Sequence, residues 1–234
     1  FSSACDAHVD CQLTAINAFR SVFGCNVCIC LFHQNQAVWR AIARFGLARH
    51  YNSVNFPKLH VRIRRLFALP FLSEVDIVSN FTVLFEQDAV SWKIHVEDCC
   101  IEQFKNLVNY YKSFWLTKIP VKMWCNNAEK ERTNNRCEGF HNGLRQTIQV
   151  AHPNLHVLIE LLRKFERGTC ERFERCLRGE DVLRFSKRRI ALEHKISLAL
   201  QRYRSLSSAI TPRQFLDNVA VAYLEFYTDE RITR

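Results

Sequence analysis

The feature that most constrains the fold of this chain is its opening pattern of strand, helix and strand. Residues 7–11 form a short strand candidate that ends near Asp10, and helical spacing follows until Gly24. A second, more apolar strand candidate covers residues 26–31. Because one helix joins them, the two strands are predicted to pair in parallel as a right-handed βαβ unit. Polar residues that follow parallel strands gather at one edge of the sheet, which makes Asp10 and His33 candidates for a site.

The rest of the chain has the spacing of helices, so the predicted fold class is mainly α with a small α/β remnant. Two strands alone make a poor core, and the helices must therefore supply most of the buried surface. The hydrophobic content of 48% argues against disorder. No run approaches the roughly 18 apolar residues of a membrane span, so a membrane is not an expected partner. The predicted helices cover approximately residues 34–47, 59–69, 74–86, 99–116, 155–176, 182–203 and 212–226.

A second informative stretch begins at Arg132 and reads Arg-Thr-Asn-Asn-Arg-Cys-Glu-Gly-Phe-His-Asn. Asn134 or Asn135 can cap the first N–H groups of a helix that carries Glu138 in its first turn. Apolar residues recur there at helical spacing, beside a polar stripe of Glu138, His141, Asn142, Arg145 and Gln149. A carboxylate, an imidazole and a guanidinium on one helix edge suit a metal or phosphate site. The alternative is a capped surface helix whose charges face water.

The charge balance favours polyanionic partners. The chain has 33 Lys and Arg residues against 23 Asp and Glu residues, a net charge of +10. Such a surface attracts DNA through counterion release. The basic run Lys187-Arg188-Arg189 can contact phosphate or direct entry into the nucleus, and the alternative is a solvated helix face.

The cysteines indicate a reducing, intracellular location, either nuclear or cytoplasmic. There are eleven of them, an odd number that includes the adjacent pair Cys99-Cys100, which is not typical of a disulfide framework. Only Cys25-x-x-Cys28 followed by Cys30-x-x-His33 has spacing typical of metal ligands. These cysteines fall in an apolar strand candidate, so buried thiols are predicted there and zinc is not expected.

Taken in order, these motifs resemble the Mutator-like (MULE) transposase family, and the resemblance covers nearly the whole chain. Each motif is short, and their order and spacing together carry the resemblance. The segments are Val9-Asp10-Cys11-Gln12, Ala15-Ile16-Asn17-Ala18-Phe19, Cys30-Leu31-Phe32-His33-Gln34, Ala68-Leu69-Pro70-Phe71-Leu72, Trp124, the Arg132–His141 stretch and His152-Pro153-Asn154-Leu155.

The resemblance implies a ribonuclease-H-like fold in which an Asp-Asp-Glu triad holds two Mg²⁺ or Mn²⁺ ions and the enzyme cuts and joins DNA. In this sequence Asp10 matches the second acid and Glu138 the third, and both are the implied metal ligands. The implied supporting residues are Cys30, His33, His141, Asn134, Asn135 and Trp124. The implied nucleic-acid contacts are Arg132, Arg136, Arg145, Lys187, Arg188 and Arg189.

The resemblance also divides the chain into segments. Residues 1–34 would form a partial ribonuclease-H-like βαβ core, and residues 35–120 a helical insertion. Residues 121–150 would carry the third acid, and residues 151–234 a C-terminal helical region.

Two departures from the family pattern affect the expected activity. Only nine residues precede Asp10, so the first acid is absent, and Gln12 stands where the family usually has a glutamate. This chain is therefore expected not to be a competent transposase by itself. The alternative is a non-catalytic, domesticated module that binds DNA or protein, and a homo-oligomer is compatible with either interpretation. A third interpretation is a generic helical domain.

Overall fold

The computed structural model describes residues 6–86, 96–127, 132, 135–180, 187–205 and 210–227. The chain divides into two compact units, which are residues 1–133 with 188–234 and residues 134–187. The predicted C-terminal region 151–234 has residues in both units. The predicted segments 1–34 and 35–120, in contrast, contribute to a single core in the first unit.

The opening of the first unit confirms the predicted parallel βαβ arrangement. Strand β1 (Asp6–Val9) pairs in parallel with β2 (Asn26–Ile29), in a register that sets Val9 opposite Ile29. Helix α1 (Leu13–Phe23) joins them and ends at Gly24, whose φ of 61° is the left-handed conformation that favours glycine. The sheet of the described residues contains these two strands. Mainly α with a small parallel sheet is therefore the observed class.

The second strand ends earlier than predicted because its backbone turns into a helix. Residues Cys30 and Leu31 were expected to continue β2, but helix α2 (Leu31–Arg44) begins there and includes His33 in its first turn. The amide of Gln34 donates to the Cys30 carbonyl at 3.0 Å, which is the first helical bond. The apolar run at residues 27–31 thus spans the end of β2 and the start of α2, and four of its five residues are buried.

The helices of the first unit form its main body. After α2 come α3 (Ala48–Tyr51), α4 (Pro57–Ala68), a 3₁₀ turn (Leu69–Phe71) and α5 (Glu74–Phe81), which continues as a wide π-type turn through Thr82–Glu86. A 3₁₀ turn (Asp98–Cys100) leads into α6 (Ile101–Tyr111), which widens over Lys112–Lys118 and is followed by a last 3₁₀ turn (Val121–Met123).

An aromatic cluster fills the centre of this body. The rings of Tyr111 and Trp115 each lie 6.1 Å from the ring of Trp124, and Phe81 stacks on Tyr111 at 5.4 Å. All four side chains are fully buried. Such pairs contribute beyond their buried area, which makes this cluster a principal source of stability.

The second unit is a helical hairpin of α7 (Asn135–Ile148) and α8 (Leu155–Leu177). Asn154 caps α8, since its Oδ1 accepts a hydrogen bond from the Val157 amide at 3.0 Å. The Phe140 and Phe165 rings meet edge to face at 5.1 Å. A Cβ at Gly143 would lie 3.3 Å from the Phe165 ring, so glycine permits this close approach of the two helices.

Two further helices return to the first unit. Helix α9 (Lys187–Arg204) contributes Leu192 and Ile196 to the core, and α10 (Pro212–Tyr227) packs on α4. The start of α10 is a reciprocal cap, in which the Gln214 amide donates to Thr211 Oγ1 and the Thr211 amide donates to Gln214 Oε1. The predicted helices over 155–176 and 212–226 are confirmed with boundaries shifted by one residue.

Candidate functional site

Three distant segments meet at the carboxyl end of the sheet. The Cys30 amide donates to the Val9 carbonyl at 2.8 Å, and the Leu31 amide donates to the Arg132 carbonyl at 2.8 Å. These two bonds join the end of β1, the start of α2 and the beginning of the Arg-Thr-Asn-Asn stretch. We call this place the strand-end junction. Segments separated by more than a hundred residues in the sequence are therefore neighbours here.

Asp10 lies at this junction, directly after β1, as the strand pattern predicted. Its side chain is half-buried, and its Oδ1 accepts a long hydrogen bond of 3.3 Å from the Gln12 amide. Its Oδ2 accepts no hydrogen bond from the described residues. Gln12 itself is exposed at the start of α1.

The thiol of Cys11, the residue after Asp10, is held in its neutral form. Burial raises the pKa of Cys11 to about 12, and the nearby Cys30 and Asp10 add to the rise, while Arg40 opposes it. Cys30 is fully buried. A neutral, buried thiol is a poor metal ligand and a poor nucleophile, so Cys11 is better suited to support the junction than to react there. None of the ten cysteines in the described residues forms a disulfide.

The first turns of α2 hold buried polar groups without partners. Four side-chain atoms there form no hydrogen bond within the described part of the protein. They are Nδ1 of His33, both polar atoms of Gln34 and Nδ2 of Asn35. Gln34 is 0% exposed and Asn35 is 1% exposed. An unpaired buried polar group costs about 1–3 kcal/mol. The sequence pattern indicated His33 but not Gln34 and Asn35, although each interrupts the apolar face shared with Val38.

Arg132, for which the resemblance implies a nucleic-acid contact, is engaged within the first unit. Its guanidinium forms an ion pair with Glu193 at 2.6 Å and lies over the Phe71 ring, 5.4 Å from its centroid. The side chain is only 11% exposed. A guanidinium that is paired and covered in this way contributes to stability, and its contact with nucleic acid stays a prediction.

We expect Arg132→Ala to lower the free energy of unfolding by about 1.5–3 kcal/mol, because a charge-assisted hydrogen bond in a largely buried place is lost. Urea denaturation measures this change. Lys164→Ala, which removes an exposed positive charge in the second unit, serves as the control and should change it by less than about 0.5 kcal/mol. The prediction fails if Arg132→Ala leaves stability unchanged and lowers the salt dependence of DNA binding by about one unit, which is the behaviour of a phosphate contact.

Trp124, for which the resemblance implies a supporting role at the site, is a fully buried residue of the first unit. It lies in the aromatic cluster with 0% of its surface exposed, and its Nε1 donates to the Trp115 carbonyl at 2.9 Å. Its observed contacts are those of a core residue.

The predicted residues of the second unit lie on α7. Glu138 falls in the first turn of the helix and is exposed, as are His141 and Arg145. His141 and Arg145 border an open cavity of about 530 Å³ with Leu144 and Ile148. Asn134 lies outside the described residues, as do the side chains of Asn135 and Arg136. Because Asp10 belongs to the first unit and Glu138 to the second, their meeting around one cation remains a prediction.

The basic run at residues 187–189 opens helix α9. Lys187 and Arg188 are exposed and Arg189 is half-buried. These positions are compatible with a phosphate contact and equally with a solvated helix face, so both alternatives stay open.

Comparisons with known proteins found no match, whether against protein-family models, curated proteins or solved structures. Among the described residues, no three His, Cys, Asp or Glu side chains cluster in a way that would hold a metal ion. The described helices also include none with the length and apolar character needed to cross a bilayer.

Proposed function

We propose that this chain is the later part of a Mutator-like transposase domain, with DNA as its substrate and Mg²⁺ or Mn²⁺ as its metal. In this proposal Asp10 and Glu138 are the metal ligands that the chain contributes. The proposal rests on the family resemblance of the ordered motifs, and DNA as the substrate favours the nuclear one of the two expected locations.

One observation in the structure supports the proposal beside the resemblance, which is the strand-end junction. Transposases of this kind require the acid after a strand to act together with an acid that follows much later in the chain. Here the backbone bonds at Val9, Cys30, Leu31 and Arg132 bring the beginning of the later motif next to Asp10. Glu138 follows Arg132 by only six residues. A generic helical domain gives no reason for these motif segments to be neighbours.

The donor chemistry at the two acids suits a hard cation. One carboxylate oxygen of Asp10 accepts no hydrogen bond from the described residues. Glu138 is exposed in the first turn of α7. Oxygen ligands are the ones that Mg²⁺ and Mn²⁺ prefer, whereas neutral thiols such as Cys11 are not. When bound, such ions activate the attacking oxygen and stabilise the leaving oxygen in phosphoryl transfer. The residues of this chain would hold the ions, and Arg145 would place a positive charge near the DNA backbone.

The second candidate is a DNA-binding or protein-binding module without catalysis. The uncharged, exposed Gln12 favours it, because a carboxylate at that position would add negative charge beside Asp10. The net charge of +10 supports DNA binding in either case. The two candidates differ in their dependence on metal.

Titration of Mn²⁺, followed by loss of its free electron-paramagnetic-resonance signal, tests the proposal on the full chain. We expect Asp10→Asn and Glu138→Gln each to weaken Mn²⁺ binding by about tenfold or more. The double variant should be little weaker than either single variant, because both acids serve one site. Glu171→Gln is the matched control, since it removes an exposed acid of α8 and should leave binding unchanged.

Two outcomes would contradict the proposal. The first is an unchanged Mn²⁺ affinity in both single variants, which supports the non-catalytic module instead. The second is strictly additive losses, which indicate separate sites.

A further inference from the structure

Helix α8 presents two apolar stripes, and only one of them is used within its unit. The first stripe contains Leu158, Leu161 and Phe165, which are half-buried. It packs against α7, where Phe165 meets Phe140 and Gly143. This contact accounts for the hairpin but for only one side of α8.

The second stripe lies on another face of α8 and is exposed along its length. Leu155 is 72% exposed, Ile159 39%, Leu162 42% and Phe173 63%. In the described residues of this 23-residue helix no side chain is buried. We call this face the outer seam, and its positions are Leu155, Ile159, Leu162, Glu166, Thr169, Phe173 and Cys176.

The spacing of the outer seam is that of a coiled coil. Successive positions are separated alternately by four and three residues, which is the heptad repeat that keeps one stripe facing a partner helix. A surface helix that packs on one side only does not require a second apolar stripe with this period. At 1.5 Å per residue the seam extends for roughly 30 Å, which is long enough for a stable helix pair.

We propose that the outer seam binds the same seam of a second copy of this chain, with the two α8 helices antiparallel. The two hairpins would then form a four-helix arrangement, in which each α8 helix is covered on both of its apolar sides. The interface would be isologous, so that each contact between two residues occurs twice. This proposal does not depend on the transposase assignment.

The charges on and beside the outer seam favour a second copy of the chain as the partner. The seam has one acid at its centre, Glu166, and its flanks carry Arg163 and Arg172. Neither Glu166 nor Arg163 takes part in an ion pair or hydrogen bond among the described residues. In an antiparallel pair centred on Glu166, Arg163 of the other copy lies one helical turn from it. Two such pairs form at once and offset the repulsion between the two central acids.

A nucleic acid fits this face poorly. Leu155, Ile159, Leu162 and Phe173 offer nothing to a phosphate backbone, and Glu166 repels it from the centre of the seam. The apolar stripe with one central acid instead matches the pattern of helix pairing, in which a polar core position sets the register.

Sedimentation of the full chain tests the proposal. At a chain concentration of about 10 µM we expect a species of twice the 27.5 kDa chain mass. Leu162→Glu should weaken dimerisation at least about tenfold, since it places two further charges in the apolar interface. Val54→Glu is the matched control, because Val54 is 94% exposed in the first unit and its substitution should leave the dimer intact. Far-ultraviolet circular dichroism confirms that both variants keep their helices.

Exchanging the charges of Glu166 and Arg163 tests whether these two residues pair across the interface between the two copies. Glu166→Arg alone and Arg163→Glu alone should each weaken the dimer, and the chain that carries both substitutions should recover it. A monomeric parent chain, a dimer that tolerates Leu162→Glu, or a double exchange without recovery would each overturn the proposal. Loss of duplex DNA binding in Leu162→Glu with the dimer unchanged would also overturn it and assign the face to DNA.

Discussion

Replacing Asp217 by leucine is expected to lower the free energy of unfolding by about 3–5 kcal/mol, because it leaves a buried guanidinium without a counter-charge. Arg65 on α4 donates from Nε and Nη2 to the two Asp217 oxygens on α10, at 2.7 and 2.8 Å. The Arg65 side chain is 4% exposed, whereas that of Asp217 is 42% exposed. The pair therefore joins two helices through residues that are 152 positions apart in the sequence.

The unequal exposure of the two partners predicts unequal effects. Arg65→Met keeps the aliphatic part of the side chain and leaves behind a carboxylate that water can reach. We expect this variant to lose only about 1–2 kcal/mol, less than Asp217→Leu, because the remaining charge stays hydrated. Equilibrium denaturation in urea measures both values.

Two controls accompany this comparison. The chain with both substitutions should be more stable than Asp217→Leu alone, since no unpaired buried charge remains. Glu102→Gln removes one partner of the exposed pair with Lys105 and should change stability by less than about 0.5 kcal/mol. Equal losses in Asp217→Leu and Arg65→Met would refute the idea that burial of the guanidinium determines the larger loss.

Trp124→Ala is expected to lower the free energy of unfolding by about 3–5 kcal/mol, because it opens a cavity in the fully buried aromatic cluster. Trp124→Phe keeps a ring in the cluster but removes the Nε1 donor to the Trp115 carbonyl. It should cost about 1–3 kcal/mol, the penalty of a buried acceptor without its partner. Thermal and urea unfolding of the two variants provide the measurement.

The same variants distinguish a packing role for Trp124 from the supporting role that the family resemblance implies. Trp124→Phe should bind Mn²⁺ with the affinity of the parent chain while it remains folded. A variant with unchanged stability but weaker Mn²⁺ binding would restore the supporting role.

Local patterns in the sequence determined the elements that depend on neighbouring residues. The apolar runs predicted the parallel strands, and Gly24 marked the end of α1. The helix starts predicted at residues 155 and 212 agree with the caps formed by Asn154 and Thr211, because a cap acts on amides within three residues. These signals are reliable because the atoms involved are always close along the chain.

Boundaries depended on partners that the local pattern does not show. The apolar Leu31 continues the pattern of the preceding strand, but its amide donates to the Arg132 carbonyl and α2 starts there. Glu97 likewise accepts hydrogen bonds from the amides of Lys58 and Leu59 at the start of α4. A local sequence pattern contains no sign of a cap that arrives from 39 residues away.

The sequence by itself therefore determined the order and type of most elements and the position of Asp10 after a strand. The tertiary structure alone decided the environments of the long polar side chains. Arg132 became a partner of Glu193 and Arg65 a partner of Asp217, whereas Arg163 remained exposed. The physical reason is range, because helix and strand formation act over a few residues, whereas a charge is buried or solvated according to whatever distant segment folds against it.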